Sequence, residues 1–133
     1  MRFFAAALGA AFVLAGPFTA QVFAADARFE RELKMLEPTE RLEQLCDYTA
    51  LNTIKKDTRE YRPDRAVASA REEPRVRGHS IQANGAAFRS RKKWYSLSYS
   101  CTADAEHMHV LSFKYKIGAE IPESQWAAFN LFD

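Results

Sequence analysis

The period of apolar positions changes twice along the chain. From Asp26 to Leu36 they recur at three- and four-residue spacing (Phe29, Leu33, Leu36), which predicts a helix. Pro38 punctuates, and Thr39 is placed to cap a second helix running to about Lys56. On that helix Leu42, Leu45, Cys46, Thr49, Ala50, Thr53 and Ile54 share one broad face, while Arg41, Gln44, Asp47 and Lys55 lie elsewhere. After Arg62-Pro63-Asp64 the spacing becomes that of strands. Arg65 to Ala70 reads as a short strand, turned by Glu72-Glu73-Pro74, and from Val76 onward the pattern predicts a β-meander.

Turn residues set the expected register. Asn84-Gly85 suits a two-residue type I′ turn, which needs positive φ at both positions, and would set Ile81 opposite Phe88. A second tight turn at Arg91-Lys92 would set Phe88 opposite Tyr95. A loop from Thr102 to Glu106 would pair Tyr95 with Phe113, Leu97 with Leu111 and Cys101 with His107. Together these put Ile81, Phe88, Tyr95 and Phe113 in one row, with Leu97, Tyr99, Cys101, Leu111, Tyr115 and Ile117 on the same core face. Trp94, Ser96, Ser98, Ser100, Ser112, Lys114 and Lys116 fall on the opposite, wet face. Pro122 opens a last helix with Trp126 and Phe129 inward. The expected fold is α+β: a four- or five-stranded antiparallel meander with helices from both termini packed on one face.

The first residues carry a different signal. Arg2 precedes an apolar run from Phe3 to Phe18, and Val22-Phe23-Ala24 has the small and β-branched residues a signal peptidase reads. Residues 1–24 are therefore expected to be a cleaved export leader, with Ala25 the alternative last residue, and residues 25–133 a single domain in the periplasm or beyond. Gly16-Pro17 breaks the apolar run short of the roughly 20 residues a bilayer requires, and no later stretch is apolar enough to span. Of the 19 Lys and Arg residues only Arg2 lies in the leader, leaving 18 against 17 Asp and Glu. So small an excess argues against nucleic acid as a partner. Two cysteines, Cys46 and Cys101, remain in an exported chain and predict a disulfide joining the second helix to the sheet.

Candidate chemistry is sparse. His107 and His109, at i and i+2, read as histidines at the edge of the core, set by the register opposite Cys101 and Tyr99. As a metal-like pair they would need His79 or Asp104 as a third ligand; no HExxH or cysteine-rich companion completes a set, and a metal-binding protein or metal-dependent hydrolase is the alternative reading. Arg89, Arg91, Lys92 and Lys93 crowd the second hairpin. They read first as a solvated turn whose charges discourage edge pairing, and otherwise as an anion-binding tip; Arg89 and Lys114 would flank Trp94 on the wet face, an exposed platform for a carbohydrate or a partner. No GxSxG or SxxK motif and no phosphate-cradling glycine loop is present, and the acidic pairs fall in turns, so neither catalytic residues nor a cofactor are assigned. A third reading is a small-ligand carrier with Tyr95, Tyr99, Phe113 and Tyr115 lining a pocket between helices and sheet.

Several strings, taken together, resemble one family. They are Arg41-Leu42-Glu43-Gln44-Leu45-Cys46-Asp47, Arg62-Pro63-Asp64-Arg65, Gly85-Ala86-Ala87-Phe88-Arg89, Trp94-Tyr95-Ser96-Leu97-Ser98-Tyr99-Ser100-Cys101 and Ile121-Pro122-Glu123-Ser124-Gln125-Trp126. The set resembles the secreted bacterial proteins of domain-of-unknown-function family 930 over nearly all of residues 33–133. The resemblance implies an exported single-domain protein and brings no activity or cofactor. The tip Arg91-Lys92-Lys93 lies outside the matching strings. The leading reading is a non-enzymatic binding or envelope-associated protein whose partner is another macromolecule, inhibition of an envelope enzyme being one form of it.

Overall fold

A computed structural model describes residues 20–133, so the export leader expected over residues 1–24 lies for the most part outside it. Helix α1 (Ala20–Lys34) leads to α2 (Pro38–Asp57). Helix α2 begins one residue before the expected cap: Pro38 takes the first turn, where its missing N–H costs nothing, and Thr39 makes no cap. Five strands follow, β1 (Pro63–Val67), β2 (Arg75–Arg77), β3 (Ser80–Ser90), β4 (Lys93–Ala103) and β5 (Val110–Ile121), then α3 (Glu123–Trp126) and a 3-10 turn over Ala127–Phe129. All pairings are antiparallel. The order is β1-β3-β4-β5, and β2 shares with β1 the outer edge of β3. The α+β class and the disulfide stand: Cys46 and Cys101 are joined, with Cα atoms 6.1 Å apart.

Helix α2 crosses one face of the sheet. Leu42, Leu45, Cys46, Ala50 and Ile54 from the helix meet Ile81, Phe88, Leu97, Tyr99 and Cys101 from the strands, in a core completed by Leu33 of α1. The C-terminal helix does not join them. On the opposite face Trp126 and Leu131 pack with Ala70, Ala87, Trp94 and Ile121 as a second, smaller core. The helices therefore cover both faces rather than one. The cause is the pair Trp94 and Ile121, opposite each other on β4 and β5, which make an apolar island at one end of an otherwise polar surface.

Of the three expected turns, one forms as expected. Arg91 and Lys92 both take positive φ, 51° and 64°, so Phe88 does face Tyr95. Asn84-Gly85 is no turn: β3 runs straight through it, with a bulge between Ala83 and Ala86. Gly85 meets a different demand, since a Cβ there would lie 2.5 Å from Cβ of Glu72 and 2.6 Å from its backbone N. The turn that reverses the chain is Gly78-His79, where Gly78 takes φ of 57°. Ile81 accordingly faces Cys101. The next loop is longer than expected and runs through His109, so Cys101 faces Phe113, Leu97 faces Ile117 and Tyr95 faces Glu120. Among the described residues no helix is long and apolar enough to cross a membrane.

Candidate functional site

The polar half of the outer sheet face is built by alternation. Residues of β4 with even numbers point away from α2, and Trp94 is the only one of them sealed from water. Beyond the Trp94 island the register lines up Arg75, Gln82, Ser100 and Lys114 as one row across β2, β3, β4 and β5. The adjacent row is Arg77, Ser80, Thr102 and Ser112, and Ser98 faces Lys116 in the next. Hydroxyls and amides thus fill the middle, and four cations stand at the two sides.

Hydrogen bonds fix the middle. Ser80 and Thr102 hydroxyls are 2.9 Å apart, Ser100 Oγ donates to Gln82 Oε1, and Gln82 Nε2 donates to Asn84 Oδ1 at 2.8 Å. Over them lies a shallow depression of about 370 Å³ lined by Arg75, Arg77, Ser80, Gln82, Ser100 and Thr102. None of the residues in these rows is a carboxylate. Such a surface offers charge and hydroxyl donors to an anion.

The residues expected to bind are only partly brought together. Trp94 lies on the wet side as expected but is 1% exposed, and its Nε1 donates to the Phe132 carbonyl at 2.8 Å. It is an anchor for the C-terminal segment and offers no platform. Arg89 does sit over the indole, 5.9 Å from the ring centroid, but Asp64 takes both sides of its guanidinium at 2.9 and 3.1 Å. Lys93 is 3.8 Å from Glu120. Arg91 and Lys92 are exposed at the turn, while Lys114 faces Ser100, far along β4 from Lys93. Arg75 and Arg77 were missed, although their i, i+2 spacing around Val76 places them on one face. The turn expected at Asn84-Gly85 joins β2 and the first half of β3 into one strand, which hides their pairing across Gly78-His79.

Of the two histidines expected at the edge of the core, His107 is buried and His109 is exposed. His107 and His109 lie in the loop before β5, not on a core-facing strand. His107 is 7% exposed, adopts φ of 57°, and places Nδ1 2.7 Å from the Pro38 carbonyl and Nε2 2.9 Å from Nδ1 of His79. His109 turns outward to Asp104 at 3.0 Å. Each histidine thus ties a loop to its neighbour, and among the described residues no three His, Cys, Asp or Glu side chains converge on one point. Asp104 accepts from the Met108 backbone N–H, which with His109 holds its carboxyl below the usual range.

One charged group was placed wrongly by periodicity. Asp47, put outside the apolar face of α2, is 7% exposed and accepts from the Tyr99 hydroxyl at 2.9 Å. Burial pushes its pKa up to about 7, Glu43 adds to the rise, and the Tyr99 bond opposes it. Tyr99 is raised too, chiefly by burial and then by Asp47. The disulfide could have revealed the pair, because Asp47 adjoins Cys46 and Tyr99 shares a face with Cys101. Of Tyr95, Tyr99, Phe113 and Tyr115, only Tyr99 belongs to the buried core; Phe113 packs against it, partly buried, with ring centroids 5.4 Å apart and planes tilted by 37°. The spaces beside α2 are open clefts, one of about 430 Å³ lined by Leu45, Tyr48, Thr49, Met108 and Val110 among others.

No curated protein and no solved structure matches the chain. A family model described as Domain of Unknown Function (DUF930) matches residues 33–131, a span that includes both cysteines, every strand and the polar rows. By that match the chain belongs to the DUF930 family.

Proposed function

We propose that the protein is an exported, non-enzymatic binding module that recognises a negatively charged component outside the cytosol. The observation that carries this reading is the row Arg75–Gln82–Ser100–Lys114, flanked by Arg77 and Lys116 and free of carboxylates. A chain close to neutral overall has no bulk attraction for anions, so cations gathered on one carboxylate-free polar face give that face a local positive potential. Export is supported by the apolar run after Arg2 and by a disulfide, a bond that persists in oxidising compartments.

Two measurements test the reading. Protein expressed from the full reading frame in a Gram-negative host should be recovered from the periplasm beginning at Ala25 or Asp26; recovery only from the cytosol, still beginning at Met1, removes the export half. For the binding half, dextran sulfate serves as the probe. The protein should bind it in a salt-sensitive way, and reversing Arg75, Arg77, Lys114 and Lys116 to Glu should abolish binding, while reversing Arg91 and Lys92 at the turn should change it by less than about twofold. Equal losses from the two sets of reversals would show that charge anywhere suffices, and the face would lose its role.

A further inference from the structure

We infer that the outer edge of β5 is a docking edge for an extended acidic polypeptide, which joins the sheet as an added strand. The inference rests on the binding reading above and names the class of partner.

The edge is open by the geometry of the ladder. The two-residue turn at Arg91-Lys92 makes Ser90 and Lys93 its closing, hydrogen-bonded pair, and such pairs alternate along an antiparallel ladder. Strand β4 has no bulge of its own, so its odd-numbered residues bond to β3 and its even-numbered ones to β5. Two bonds at the strand's end agree: Ala103 N–H, the last of β4, donates to the His79 carbonyl on the β3 side, and Asp104 N–H, just past it, to the His109 carbonyl on the β5 side. Ser112, Lys114 and Lys116, which face Thr102, Ser100 and Ser98, therefore spend their backbone groups on β4. Those of Phe113, Tyr115 and Ile117 point outward, and among the described residues no strand pairs with them. Bulges on β5 at both ends, near Leu111 and at Gly118-Ala119, bound this straight stretch.

The side chains say what would fit. On the α2 side the edge presents Phe113, Tyr115 and Ile117, each only half-buried against the core, so a neighbouring strand gains by covering them with apolar residues. On the other side it presents exposed Lys114 and Lys116. An added strand alternates in the same way, and the matching pattern is apolar toward α2 and acidic toward the lysines. The lysines also disfavour a rival occupant, a second copy of the chain. A second copy pairing antiparallel about Lys114, Tyr115 or Lys116 would set lysine against lysine, and like charges directly opposite are destabilising. Self-association is discouraged by the same two residues that attract an acidic strand.

The test uses the mature protein and short peptides that alternate valine and glutamate. The alternating peptide should bind and slow hydrogen exchange at the amides of Phe113, Tyr115 and Ile117 by roughly tenfold or more, leaving those of Lys114 and Lys116 unchanged because β4 already protects them. A peptide of the same composition with its glutamates in one block should bind more weakly and protect none of the three. Lys114→Glu with Lys116→Glu should weaken the valine–glutamate peptide by roughly tenfold and admit its valine–lysine counterpart, an exchange of preference that misfolding does not produce. Tyr115→Pro, which deletes an outward N–H, should abolish protection at its neighbours. If alternating and block peptides bind alike without protection at the three amides, strand addition is wrong while anion binding by the face survives. If neither peptide nor dextran sulfate binds, both readings fall together.

Discussion

At Asp47 a carboxyl group sits against the Tyr99 hydroxyl with almost no water around it. Burial disfavours the charged form, so the folded protein holds this proton up to about pH 7, whereas the unfolded chain releases it near the ordinary value of 3.8. Stability contributed by the neutral group is therefore complete below about pH 4 and lost as the pH rises through about 7. Chemical denaturation should show the wild type losing about 2 kcal/mol between about pH 5 and pH 8. Asp47→Asn, which keeps the shape of the neutral acid and cannot ionise, should flatten that slope; an unchanged slope would assign it to another group. Periodicity did not reveal Asp47 because its position on the helix wheel is marginal. What buries it is the tyrosine that the disulfide carries into place. The same limit applies to Trp94: alternation assigned it to the correct side of the sheet, but only the C-terminal segment, 38 residues along the chain at Phe132, decided that water would not reach it.

At the scale of one element, β3 shows how a turn signal is overridden. Asn and Gly tolerate positive φ but do not require it, and the chain spends Gly85 on a close approach of Glu72 instead. Gly85→Ala would put a methyl group 2.6 Å from the Glu72 backbone N, and the segment behind it must shift. We expect a loss of about 1–3 kcal/mol, read from the denaturant midpoint. Asn84→Ala, next to it, removes only a surface bond to Gln82 and should cost less than about 0.5 kcal/mol. Were the pair a type I′ turn, both substitutions would be costly. Arg91-Lys92, with no glycine, makes the turn because two long strands of matched alternation meet there and leave just two residues between them. Element types were legible along most of the chain; registers were legible only beside this turn, because each misplaced reversal displaces every pairing after it.

Across the whole molecule, the Cys46–Cys101 bond closes a loop of 55 residues that contains β1, β2, β3 and most of β4. In the chain-entropy model, closing a loop of that length restricts the unfolded chain by roughly 4 kcal/mol. Cys46→Ala with Cys101→Ala should lower unfolding stability by about that amount, and denatured, unreduced wild-type protein should show no reactive thiol. Two reactive thiols would mean that the bond does not form. The sequence by itself determined the helix-then-meander order, the α+β class and the joining of the two sulfurs, because these follow from periodicity and from an even cysteine count. The tertiary structure alone decided which strand neighbours which and which polar residues share a face. Arg75 and Lys114 stand 39 positions apart in the chain and at opposite ends of one row in the sheet. Local pattern determines which face a residue occupies; its neighbours on that face come from other strands, and their placement is set by where the chain reverses.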